Sequence, residues 1–85
     1  MSETGWHVYI VECADRTLYT GVALNLSERL DRHNDGSGAR YTRGRRPVRL
    51  VYAEAAADRA AAQRREHAIK RLSTQAKRQL IASAG

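Results

Sequence analysis

Two tyrosines stand ten residues apart near the start of this 85-residue chain, in the strings Val8-Tyr9-Ile10 and Tyr19-Thr20-Gly21. Arg29 and His33 follow one helical turn apart, and Glu66 stands in a later helical stretch. Two phenols, a guanidinium, an imidazole and a carboxylate make a kit for cutting a phosphodiester with one metal ion. That reaction needs an activated water, neutralised phosphoryl oxygens and a stabilised leaving group. No other set of residue types in the chain offers chemistry of this kind.

These groups act together only if the fold gathers them. After a short leader over residues 1–6, His7 to Cys13 is rich in β-branched and aromatic residues and predicts a strand. Ala14-Asp15-Arg16 is a turn, and Thr17 to Val22 predicts a second strand, closing a hairpin. Tyr9 and Tyr19 then lie on neighbouring strands and share a face if the register allows. Gly21 marks a bulge or a close approach of backbone or ligand. Asn25 is an N-cap, with Glu28 three residues on as in a capping box, and the helix runs to about Asn34. Leu26, Arg29, Leu30 and His33 share one stripe of it. Arg29 and His33 therefore point toward the sheet or the rim of a cleft beside it.

Asp35-Gly36-Ser37-Gly38 ends that helix, and residues 36–47 read as a loop closing at Pro47. Val48 to Glu54 alternates as a third strand. Asp58 caps a long helix reaching about Leu72, in which Ala62, Glu66 and Ile69 share a face. Ser73-Thr74 caps a last helix over about 75–83, with Leu80 and Ile81 inward. The order β-β-α-β-α-α over residues 1–85 predicts one α+β domain.

Composition narrows the partners. Fifteen Lys+Arg oppose nine Asp+Glu, for a formal charge of +6. Most of the cations are arginine, whose planar fork suits phosphate oxygens. A basic small domain points to a polyanion, most often nucleic acid, although a bias toward arginine codons gives the same composition. Arg40, Arg43, Arg45 and Arg46 gather around Tyr41 as a phosphate-backbone and base-stacking surface, or else as a solvated loop. Cys13 is the only cysteine, which excludes an internal disulfide and a cysteine-based metal cluster. Neither a signal-peptide pattern nor a membrane-length apolar run is present, so a soluble cytoplasmic chain without membrane contact is expected.

Residues 7–72 resemble the GIY-YIG nuclease domain, in its small standalone bacterial form. His7-Val8-Tyr9 matches the first signature element and Tyr19-Thr20-Gly21 the second. Arg29 and His33, in Glu28-Arg29-Leu30-Asp31-Arg32-His33-Asn34, match the arginine and histidine that follow. Glu66, in Arg65-Glu66-His67-Ala68-Ile69-Lys70, matches the late-helix metal ligand. The first glycine and isoleucine of the signature are absent, and no additional DNA-binding domain is expected. The resemblance implies a small three-stranded antiparallel sheet flanked by helices.

It also implies roles. Glu66 holds Mg²⁺ or Mn²⁺, ions that keep most of their waters; the plain alternative is an i,i+4 pair with Lys70. Arg29 clamps the scissile phosphate, or makes a structural ion pair. Tyr9 is the general base and Tyr19 orients, although a phenol with a pKa near ~10 needs a neighbouring cation to act so. Both tyrosines could instead be ordinary strand residues. His33 activates Tyr9 or shares the base role, or is a helix C-terminal histidine stabilised by the dipole. Lys70 joins the loop arginines in contacting nucleic acid. The expected function is metal-dependent endonucleolytic hydrolysis of DNA, with RNA also open, on structured or damaged DNA in repair or recombination. The alternatives are a non-catalytic nucleic-acid-binding module on the same fold, or a small adaptor dependent on a protein partner.

Overall fold

A computed structural model describes residues 4–84. Strand β1 (Thr4–Glu12) is central, β2 (Leu18–Asn25) and β3 (Arg49–Ala55) flank it, and both pairings are antiparallel. Helix α1 (Leu26–Asp35) follows β2, and a one-turn helix α2 (Arg40–Arg43) lies between α1 and β3. Helices α3 (Arg59–Lys70) and α4 (Thr74–Ala84) end the chain. Apart from α2, this is the expected order. Strand β1 starts earlier than expected and takes in the second half of the expected leader; the leader's first three residues lie outside the described residues. Strand β2 is longer too, pairing as far as Asn25 opposite Thr4 across a register shift.

The centre of β1 is buried on both faces, which is why it reads as an almost unbroken apolar run. Val8 and Ile10 pack under α3 with Ala62 and Ile69, and Leu80 and Ile81 of α4 join that layer. Tyr9, Val11 and Cys13 face the other way, against Ala23, Val48, Leu26 and Leu30. A fully buried aliphatic side chain contributes roughly 1.5–3 kcal/mol, so the central strand anchors both layers.

The caps set where the helices begin and end. The Asn25 side chain accepts from Glu28 N at 3.1 Å, a contact worth about 1 kcal/mol. Gly36 closes α1 at φ 92°, a left-handed conformation that suits glycine. Asp58 Oδ1 accepts from Ala61 N at 2.8 Å to start α3. The Asn34 amide grips Val48 from both sides: Nδ2 donates to Val48 O at 3.0 Å, and Oδ1 accepts from Val48 N at 2.7 Å. That clamp ties the end of α1 to the start of β3 and fixes both ends of the segment between them.

Candidate active site

Tyr9 and Tyr19 lie on the same face of the sheet. Tyr9 pairs with Gly21 across the β1–β2 ladder, and Val11 with Tyr19. The far end of the Tyr9 ring lies over Gly21, where a Cβ would stand 2.6 Å from the hydroxyl and 2.8 Å from Cζ. The glycine is there for this close approach. His33, in the last turn of α1, is fully buried, as the shared stripe with Leu26 and Leu30 required. The Tyr9 hydroxyl and His33 Nε2 are 2.7 Å apart.

On its other side, His33 Nδ1 lies 2.8 Å from the hydroxyl of Thr42, a fully buried residue of α2. Thr42 Oγ1 in turn donates to Ala39 O at 3.0 Å. The sequence reading missed Thr42. The signal was a small polar residue flanked by arginines in a loop, which a solvated loop would show equally well.

Burial raises the Tyr9 pKa well above the ordinary phenol value, Tyr19 adds to the rise, Arg29 opposes it and Glu66 adds again. All four other groups of the kit thus bear on this phenol, three through charge and His33 by direct contact. Burial, and then Arg29, holds His33 below the usual imidazole value. The Tyr9–His33 pair therefore rests neutral. Arg29 itself is exposed, so it occupies the rim of the site rather than the core stripe. It helps line a groove of about 300 Å³ together with Ala23, Leu24 and Arg32.

Glu66 is half-buried on α3, the helix packed on β1 and β2, and its Oε2 lies 3.2 Å from Lys70 Nζ. The i,i+4 pair is therefore formed. Among the described residues no group of three or more His, Cys, Asp or Glu could hold a metal ion. One carboxylate fits a hard divalent ion that keeps its waters and takes phosphate oxygens, and does not fit tetrahedral zinc.

The segment expected to be an open loop is folded back on the site instead. Tyr41 stacks on Tyr19 with centroids 5.8 Å apart, and Tyr19 meets His33 edge-on at 5.4 Å. The Arg45 guanidinium covers the Tyr41 ring at 4.1 Å. Tyr41 is thus packed against Tyr19 and Arg45 while it stays partly exposed. Arg45 also pairs with Asp15 at 3.0 Å, and Arg46 donates to the carbonyls of Arg43 and Asn34. These two guanidiniums satisfy helix-end carbonyls and a hairpin carboxylate, internal partners that an open loop would not give them. Arg40 and Arg43 are exposed and make no ion pair among the described residues.

Residues 5–79 match the model of the GIY-YIG catalytic domain. The chain belongs to the GIY-YIG family, whose members are generally endonucleases. It is 57% identical over 77 residues to a UPF0213 protein of Desulfotalea psychrophila, covering 89% of this chain and 70% of that one. It is 50% identical over 76 residues to a UPF0213 protein of Natronomonas pharaonis, covering 89% of each. A solution structure of a UPF0213 protein from Bacillus halodurans superposes with a TM-score of 0.62 at 42% identity, covering 94% of this chain and 85% of that one. No described helix is long and apolar enough to cross a membrane.

Proposed function

We propose that residues 1–85 form one nuclease domain that hydrolyses phosphodiester bonds in DNA with Mg²⁺ or Mn²⁺, acting in the cytoplasm on structured or damaged DNA in repair or recombination. The observation that carries this reading is the buried 2.7 Å contact between the Tyr9 hydroxyl and His33 Nε2, with Arg29 and Glu66 bearing on the same phenol. Arg29, exposed at the groove, binds the scissile phosphate and neutralises charge on its oxygens. Tyr9 takes a proton from the attacking water as its own passes to His33 Nε2. The oxygen of that water forms a new bond to phosphorus while one ester P–O bond breaks. The leaving oxygen takes a proton from solvent, and His33 releases its proton through Tyr9 to solvent, which restores the neutral pair. Tyr19, packed against His33, orients the pair. Glu66 is the residue that would hold the divalent ion, which when bound supplies positive charge beside the phosphate and eases formation of hydroxide. Lys70, freed from Glu66, turns to a phosphate together with Arg40 and Arg43.

A pure binding module would have no use for a neutral phenol–imidazole pair buried beside a carboxylate and an arginine. The test is cleavage of a labelled panel by the purified protein: single strands, duplex, flaps, splayed arms and four-way junctions, as DNA and as RNA. Each is incubated with Mg²⁺, Mn²⁺ or EDTA. Metal-dependent cutting of a DNA member is expected. Salt-sensitive binding without cutting would favour the binding module, and activity only after addition of a protein fraction would favour the adaptor.

A further inference from the structure

The chemistry just described needs His33 Nε2 to be an acceptor, so the ring proton must reside on Nδ1. We infer that Thr42 is the positioning residue that keeps it there. A threonine hydroxyl has one proton to donate, and Thr42 directs it to Ala39 O at 3.0 Å. Its oxygen can then only accept from His33 Nδ1–H, at 2.8 Å. That fixes the tautomer, since the bond made by one ring nitrogen decides the state of the other. His33 and Thr42 are both fully buried, so water does not compete for the contact. Gly38 closes the same side of the ring: a Cβ there would lie 2.7 Å from Nδ1 and 2.8 Å from the His33 Cα.

Without the hydroxyl, Nδ1–H would lose its buried acceptor. The proton would move to Nε2, where the Tyr9 oxygen can accept it, and the Tyr9–His33 bond would reverse. Tyr9 would then have no acceptor for its own proton. The catalytic consequence rests on the nuclease reading; the tautomer does not. Thr42 also shares its single turn with the exposed Arg40 and Arg43, so the seating of α2 sets the surface arginines and the ring proton together.

The test is a long-range ¹H–¹⁵N spectrum of the His33 imidazole in the full labelled chain, at a pH above its titration, for wild type, Thr42→Val and Thr42→Ser. Wild type and Thr42→Ser are expected to carry the proton on Nδ1, and Thr42→Val on Nε2. In cleavage assays Thr42→Val should lose roughly 10- to 100-fold in kcat with KM little changed, and Thr42→Ser should recover most of it. A wild-type ring protonated on Nε2 would overturn the inference, as would a Thr42→Val ring unchanged from wild type. If Thr42→Val does not fold, the wild-type and Thr42→Ser spectra still decide. A chain that cuts nothing but shows the expected tautomers would sink the nuclease reading and leave the role of Thr42 standing.

Discussion

The Tyr9 hydroxyl lies over Gly21, its partner across the ladder, at a distance that leaves no room for a methyl group. Tyr9 is almost fully buried and bonded to His33, so its ring has nowhere to retreat. Gly21→Ala should therefore cost about 1–3 kcal/mol of stability through overpacking. It should also lower cleavage at temperatures where the variant is still fully folded, because the displaced phenol loses Nε2. Thermal melts and rates measured side by side check this; a folded variant with full activity would contradict it.

On the proposed mechanism His33 takes the Tyr9 proton and must be neutral to do so, and burial with Arg29 places its titration below the usual 6.5. The acid limb of the pH–rate profile should have its midpoint below that value. The sign for stability follows from the same shift. Below 6.5 the unfolded chain takes up the proton first, so stability falls as pH drops toward the folded value. An NMR titration of His33 gives the folded pKa directly, and a value above 6.5 would contradict the account.

Arg40 and Arg43 are exposed and make no ion pair among the described residues, whereas Arg45 and Arg46 are held by internal partners. Replacing Arg40 and Arg43 together by alanine should weaken binding evenly across sequences. The slope of log K against log salt should shrink by about 2, one for each lost phosphate contact. Titrations at several salt concentrations measure it, and an unchanged slope would remove α2 from the interface.

Glu12 ends β1 and receives Arg49 Nη2 and Arg78 Nη1, each at 2.7 Å, so it ties β3 and α4 to the central strand. The Arg78 and Arg49 hydrogen bonds hold its carboxyl below the usual carboxylate range. The stabilisation is complete above the unfolded value near 4.5 and is lost as pH falls through the folded one. Glu12→Gln should lower Tm at pH 7, and the gap to wild type should narrow as pH falls below 4.5. A gap independent of pH would mean that the carboxylate charge is not what ties these elements.

Local pattern made much of this legible. The apolar run of β1, the Asn25 cap and the stripe that buries His33 beside Leu26 and Leu30 all depend on neighbours within a few residues. What was hidden depends on distant partners. Nothing near Thr42 announces that it meets a histidine nine residues back. A four-residue helix is too short to leave a periodic signal, and α2 is held by packing at the site and by the Asn34–Val48 clamp. Glu12 looked like one more strand residue because its partners Arg49 and Arg78 come from β3 and α4. Tyr41 looked like an open platform because its stack on Tyr19 spans the hairpin and the loop.

The central claim is that Tyr9 and Glu66 serve the chemistry rather than the grip on nucleic acid. The most direct test sets Tyr9→Phe and Glu66→Ala beside wild type, with metal-dependent cleavage and binding measured on the same labelled DNA. Each variant should keep wild-type affinity and lose cleavage by roughly 10²-fold or more. Full cutting by either variant, or binding that falls in step with cleavage, would contradict the account.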